Sequence, residues 1–419
     1  MSAEDRLDPA VAQDRPRCPV DLDLLDPESF RAGVPLEALA RVRREAPVCW
    51  HPQPGAPGEG FWAVTRHADV REVSRLPEVF SSYEHGSLLR HGEEETPESL
   101  AVMRLLLLNM DPPAHTHLRR VVHRAFTART VRALEPRLRE LAEGIVDRAL
   151  ARGEGDFVQD VAAELPLLAI CELLGVPAED RRRISDLSNR LIGFDDPEFH
   201  TSPDDAQLAA AEMYGYANDL AEQRQREPRD DIVTDLLRAE VDGEALTVAE
   251  FDAFFLLLAV AGNETTRNAI THGMLAFFEH PEQWRLFCDE RPATAADEII
   301  RWATPVLHFQ RTATADHVLG GQQVRAGDRV GLVYPAANRD AEAIPDPDRF
   351  DVRREPNDHV AFGGGGPHFC LGAHLARAEV RILFETVADR MPGIAPAGDV
   401  RRLRSAFVHG ITRFPVRYR

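Results

Sequence analysis

The stretch from His359 to Arg377, HVAFGGGGPHFCLGAHLAR, sets a single thiol, Cys370, between four consecutive glycines and an apparent helix. A thiol in such a place has a short list of uses. As a zinc ligand, Cys370 would join His368 and His374, three donors that need a distant fourth to close a site. As a nucleophile it would need a base such as His368, whose side chain, two residues away in a glycine-rich turn, need not converge on it. As a plain buried thiol it leaves Gly363, Gly364, Gly365 and Gly366 unexplained, since glycine is costly in chain entropy unless the backbone turns tightly or approaches something closely. The remaining use, an axial thiolate on haem iron, accounts for both features. Glycines let the loop pass beneath a flat macrocycle, and the positive end of the following helix faces the sulfur.

Other spacings add charge chemistry. In HTHLRR, His115 and Arg119 stand one helical turn apart and can face one anionic group. In EIIR, Glu298 and Arg301 can pair at i,i+3, an arrangement common enough alone to mean only a solvated ion pair.

These residues need elements to hold them. The pattern FDAFFLLLAVAGNETTRNAITHGMLAFFEH predicts a long helix from residue 247 or 250 to residue 279, stopped by Pro281. Its first half is apolar all round, as expected of a buried helix. Gly262 at its centre costs roughly 1 kcal/mol relative to alanine, and Asn263, Thr265 and Thr266 are further weak helix formers. Such a weakened centre either makes room for a ligand or holds a plain packing glycine. A helix is expected over residues 371–391, strands over 312–318 and 329–334, and a short helix over 35–44. A strand breaks into a helix near residue 66, residues 82–100 read as an extended surface segment, and the middle of the chain from residue 111 onward reads as mostly helix.

Composition narrows the classes. The 419 residues, 44% hydrophobic, can bury a large core, and a formal charge of -20 argues against general nucleic-acid or anionic-membrane binding. Lysine is absent, which removes a Walker phosphate loop and any lysine Schiff base. Cys18, Cys49, Cys171 and Cys288 read as structural or incidental thiols in a reducing compartment. The acidic start and the short apolar runs suggest neither a secretory signal nor a membrane span, so a cytoplasmic, unanchored monomer is expected.

The chain resembles the bacterial cytochromes P450 over almost its whole length. The family's cysteine loop, Phe-x-x-Gly-x-x-x-Cys-x-Gly, is matched by FGGGGPHFCLG, with Cys370 and Gly372 in place. Phe362 lies one position early, so Gly363 takes the phenylalanine slot and the loop is one residue longer, as in actinobacterial members. AGNETT resembles the oxygen-activation segment, Ala261 and Gly262 leaving space above the iron, with Glu264 the acid and Thr265 the alcohol. The resemblance implies haem b with Cys370 as axial ligand, His115, Arg119, Arg311 and His368 as propionate partners, and Phe362, Gly364 and Gly372 in the loop beneath it. It implies a structural trio of Glu298, Arg301 and Arg349.

The implied fold is mainly α with small β-sheets: one P450 domain over 1–419, a β-rich lobe drawn mainly from 45–75 and 305–335, and the haem between the central helix and the cysteine-loop helix. The implied reaction is hydroxylation with O2 and two electrons, Thr265 organising water and Glu264 relaying protons from solvent. No Rossmann glycine motif is present, so the electrons come from a ferredoxin and its NAD(P)H-dependent reductase, docking near His117, Arg120, His123 and Arg124. Leu257, Val260, Ala261, Leu307, Phe407 and Val408 would line an apolar substrate pocket. AGNETTRNAITHGMLAFFEHPEQW, EIIRWATPV and LLLLNMDPP resemble the actinobacterial branch that oxidises sterol side chains and isoprenoid or branched lipids. Tailoring of a macrolide, peptide or aromatic scaffold is the alternative enzyme, peroxygenase or coupling chemistry a variant of it, and a haem-binding sensor the alternative without turnover.

Overall fold

Thr247 starts the long helix with a capping box: its hydroxyl accepts from the Glu250 backbone N–H while the Glu250 carboxylate accepts from Thr247 N at 2.9 Å. Such a cap contributes about 1 kcal/mol. In the computed structural model, which describes residues 15–89, 96–192, 203–241 and 244–419, this helix runs unbroken from Val248 to Glu279. Gly262 does not interrupt it.

Helices in chain order include α1 Leu36–Glu45, α2 His67–Arg75, α3 Ala114–His123, α4 Ala128–Arg152, α5 Glu164–Leu174, α6 Arg181–Ile192, α7 Pro203–Arg226, α8 Val248–Glu279, α9 Ala295–Ala303 and α10 Ala373–Arg390. The central helix α8 contacts α5, α6, α7, α9 and α10. Surrounded in this way, it buries Phe251, Phe254, Phe255 and Phe277, each contributing about 1.5–3 kcal/mol of burial. That is the physical reason for its all-round apolar first half.

The largest sheet joins strands β1 Val48–Pro52, β2 Gly60–Val64, β3 Phe80–Ser81, β4 His308–Ala313 and β5 Arg329–Val333, in the order β1-β2-β5-β4-β3. β5 lies parallel to β2 and antiparallel to β4, pairing Val330 with Arg311. The architecture is therefore mainly helical with small sheets.

Three expectations are corrected. The 312–318 segment is not one strand: β4 ends at Ala313, and His317–Leu319 belongs to a separate hairpin with Gln322–Val324. The 82–100 segment is not simply extended at the surface, because Ser82, Ser87 and Leu89 are buried and Pro97–Met103 is helical; residues 90–95 lie outside the described residues. Cys18 and Cys49 form a disulfide that ties the chain before α1 to β1. A separation of 31 residues gave no pairing signal in the sequence. Among the described residues no helix is long and apolar enough to cross a membrane.

Candidate active site

Between α8 and the cysteine loop lies a cavity of about 300 Å³, with Cys370 and Thr265 both in its lining. The loop is fixed from behind. Gly363, Gly365 and Gly366 have φ of 93°, 94° and 73°, a region that disfavours any side chain. A Cβ on Gly364 would come within 2.8 Å of Val70 O, and one on Gly366 within 2.1 Å of Ser74 O, both main-chain atoms of α2. The glycine run thus answers a close approach to α2. Gly372 is different: it lines the cavity, and a Cβ there would meet no protein atom within 4 Å.

Cys370 N donates to Phe362 O at 2.9 Å, closing the loop. Phe362 is buried, its ring 6.2 Å from that of Phe369, with the Arg377 guanidinium 4.6 Å over its face. Burial pushes the Cys370 thiol up, while the Gly372 backbone N–H and the Arg119 and Arg377 charges pull it down. The zinc alternative finds no support: His374 is exposed, and among the described residues no three potential ligands gather to hold a metal ion.

One end of the cavity is rich in donors. His115, Arg119, Arg311 and His368 all line it. Both ring nitrogens of His115 are buried without a hydrogen-bond partner among the described residues, and its ring lies 4.2 Å from that of His368. Burial pushes His115 down to about 4 and His368 to about 2, the neighbouring arginines adding to both. Both imidazoles are therefore neutral, each with one N–H to donate. Arg119 donates to Phe369 O at 2.5 Å and Arg311 to Gln310 O at 2.6 Å.

The opposite wall is apolar. Phe254, Leu257, Leu258, Ala261, Gly262 and Thr265 line it from one face of α8, at the 3.6-residue period. Val260 falls off that face and is not in the lining. A Cβ on Gly262 would meet Ile170 of α5 at 3.3 Å, so this glycine also lets two helices approach. Thr265 Oγ1 donates to Ala261 O at 2.8 Å.

Val306 and Phe309 join the lining, whereas Leu307, Phe407 and Val408 do not. Leu307 is 1% exposed and packs on the other side with Leu24, Phe30 and Phe61. Phe407 backs the wall through Phe309, at 5.6 Å between ring centres, and Val408 bridges to Val306.

Glu264 lies behind this wall. It is 2% exposed and outside the lining, ion-paired with Arg267, which donates in turn to Asn189 of α6 at 3.3 Å. Burial pushes its carboxyl up against the pull of Arg267.

Beyond the cavity, Arg301 grips Glu298 through two hydrogen bonds of 2.7 and 2.8 Å, and both side chains are fully buried. The third member is Arg354, whose Nε donates to Glu298 at 3.0 Å. Arg349 is not: its side chain is 64% exposed, and only its backbone carbonyl joins, accepting from Arg301 and Arg354. In an aperiodic loop, two nearby arginines cannot be ranked from sequence. Sequence reasoning also passed over Glu379 and Thr266, which line the cavity. A signal for Glu379 was present, because it sits at i+4 from Leu375 and i-4 from Leu383, within an apolar helical stripe.

Comparison with known proteins agrees with this architecture. The cytochrome P450 family model matches residues 294–390. A steroid C26-monooxygenase of Rhodococcus jostii (strain RHA1) is 50% identical over 414 residues, covering 98% of this chain and 87% of the relative. A methyl-branched lipid omega-hydroxylase of Mycobacterium tuberculosis (strain H37Rv) is 42% identical, covering 96% of this chain and 95% of the relative. The solved structure of a Mycobacterium marinum cytochrome P450 in complex with pseudoionone superposes with a TM-score of 0.89 at 40% identity, covering 96% of this chain and 99% of the other. With that fold, this cavity and relatives matched along nearly its full length, the chain belongs to the cytochrome P450 family of haem monooxygenases.

Proposed function

We propose that the chain hydroxylates the side chain of a sterol or a similarly branched isoprenoid lipid, holding haem b through Cys370. The observation that carries this reading is the division of one cavity into a donor-rich end, a thiol floor and a wall that is mainly apolar, to which α8 adds the hydroxyl residues Thr265 and Thr266. The lining fits haem. A flat macrocycle with two carboxylates calls for a sulfur beneath it and N–H donors at one edge, and the His115 ring, unpartnered among the described residues, has one N–H to give. When bound, haem supplies reductive activation of O2 and transfer of one oxygen atom to a substrate C–H bond.

The chain's own residues do the rest. Arg119, Arg311, His115 and His368 hold the carboxylate edge through hydrogen bonds that the guanidinium fork makes strongest. Burial holds Cys370 toward the thiol, and the Gly372 N–H and the Arg119 and Arg377 charges oppose it, pulling toward thiolate. Thr265 donates to Ala261 O and keeps its lone pairs for a water in the cavity. Glu264, through Arg267 and Asn189, connects this turn to α6, the route by which protons come from outside. Phe254, Leu257 and Leu258 exclude water and bury an apolar ligand.

Electrons come from a ferredoxin and its NAD(P)H-dependent reductase. Their docking face carries Arg120, His123 and Arg124, all exposed, on the helix and turn whose Arg119 binds the carbonyl of Phe369, itself 36% exposed. An acidic ferredoxin complements that patch. The lipid class is supported by the steroid C26-monooxygenase and methyl-branched lipid omega-hydroxylase relatives.

The test is titration of the haem-loaded protein with sterols, methyl-branched lipids, straight fatty acids and macrolides, read by the Soret shift, followed by product analysis with ferredoxin and reductase. The expected result is tightest binding by a sterol or branched lipid, with hydroxylation at a side-chain terminus. Binding by macrolides alone overturns the lipid assignment.

A further inference from the structure

The Cys18–Cys49 disulfide takes no part in the chemistry above, yet the loop of chain it closes braces the rear of the cavity wall. That loop contains a short helix, Pro27–Phe30, and α1. From it Leu24, Phe30 and Leu39 enter one apolar cluster with Cys49, Leu307 and Val333. Leu307 and Val333 are the chain neighbours of Val306 and Tyr334, which line the cavity. Backbone bonds join these positions: Leu307 N donates to Phe407 O at 2.9 Å, and Tyr334 N to Leu307 O at 3.1 Å. The loop is also tied down by polar contacts, Leu24 N to His51 Nε2 at 3.1 Å and Arg43 to Ala336 O at 2.8 Å.

The two sulfurs differ in access. Cys49 is fully buried in β1, whereas Cys18 is only partly buried, beside the exposed Arg17. The chain around Cys18 has a second, non-covalent hold. Trp50 N donates to Pro16 O at 2.7 Å, and the Arg15 guanidinium lies 3.8 Å over the Trp50 ring while pairing with Asp328 at 2.8 Å. Opening the disulfide therefore leaves the segment docked, but through contacts that can break and reform. A reachable sulfur with a non-covalent backup suits a link that is made and unmade in the folded protein.

We propose that Cys18–Cys49 is a redox clasp. Closed, it holds the N-terminal loop rigidly against the rear of β4 and β5; opened by a protein dithiol, it lets the wall loosen and lowers affinity for the lipid. A thiolate of the dithiol attacks Cys18 Sγ, the S–S bond breaks, and Cys49 leaves with the electron pair and takes a proton. The second thiol then attacks its partner's sulfur in the mixed disulfide and releases Cys18, which is protonated in turn. Two electrons and two protons reach the protein, and the dithiol ends as a disulfide. The clasp itself is independent of the lipid reading; only its effect on affinity rests on that reading.

The experiment uses holoenzyme of wild type, of Cys18→Ala/Cys49→Val, which removes the link and keeps the packing apolar, and of Arg15→Ala. Each is measured with and without reduced thioredoxin, a protein dithiol too large to enter the cavity. Alkylation with mass mapping should find Cys18 and Cys49 blocked before reduction and labelled after it. Hydrogen exchange at the Leu307 and Tyr334 amides should quicken several-fold on reduction of wild type. The dissociation constant for cholesterol, read by the Soret shift, should rise several-fold in step. The double variant should match reduced wild type and ignore thioredoxin. Arg15→Ala should resemble wild type while oxidised and exceed it in both effects once reduced, because only then does the non-covalent hold act alone.

Labelling of both cysteines before reduction, or resistance of the folded protein to thioredoxin, overturns the clasp. Wall amides that exchange unchanged on reduction, even with a lower Tm, leave a plain structural staple and overturn it too. So does a thioredoxin effect that persists in the double variant, since it acts through another cysteine. Failure of the lipid reading shows separately, as no Soret shift with cholesterol in oxidised wild type, while alkylation and exchange still decide the clasp.

Discussion

Two buried polar clusters flank α8, and they are finished to different degrees. Both Glu298 oxygens are engaged: Arg301 takes both, and Arg354, Asn357 and Asp351 N supply further donors, with Asn357 Oδ1 the one atom of this group buried without a partner among the described residues. Around the turn of Thr265, Glu264 Oε1, Arg267 Nε, Asn263 Oδ1 and Glu379 Oε1 are buried without partners among the described residues. Leaving such atoms unpaired costs about 1–3 kcal/mol each, and four of them gather near Thr265 against one near Glu298. The contrast separates residues that hold the fold from residues that hold something else.

Substitutions in the two clusters should accordingly fail in different ways, and the largest failure belongs to the closed cluster. Arg301→Ala strands a buried carboxylate and should cost about 3–5 kcal/mol, read as a drop in the denaturation midpoint with poor recovery of folded protein. Folding at wild-type stability would break the contrast. Next in size, Cys370→Ser should abolish hydroxylation and the thiolate Soret signature of the reduced carbon-monoxide complex. Far-UV circular dichroism should change little, since Cys370 is bound to the fold through its backbone N–H. Smallest and sharpest is a matched pair within the closed cluster. Arg354→Ala should destabilise by about 1–3 kcal/mol, whereas Arg349→Ala should stay within about 0.5 kcal/mol, both read by urea unfolding. The reverse ranking would restore the trio expected from sequence.

What was legible in the sequence was what periodicity and local spacing encode. The long helix ends at Glu279, before Pro281, because proline restricts the residue ahead of it, and the pairing of Glu298 with Arg301 follows from i,i+3 geometry alone. The cysteine loop was legible because four glycines demand a backbone reason, although that reason turned out to be the main chain of α2. Contacts set by tertiary approach were not legible. Leu307 shares the parity of Phe309 and Arg311, which line the cavity, yet it precedes β4 and packs with Leu24, Phe30 and Phe61 instead, a choice that no alternation pattern encodes. Cys18 meets Cys49 only once the chain before α1 has folded onto the sheet. Glu379 was hidden by reading its helix for apolar residues, when the informative residue was the acid among them.

The seating of Gly364 and Gly366 on α2 reaches beyond the loop itself. With main chain against main chain, no rotamer change can lift Cys370 toward the cavity or lower it, so its height is inherited from the helix that follows β2. A protein that binds on this side and nudges α2 would carry the thiol with it, because nothing compliant lies between them.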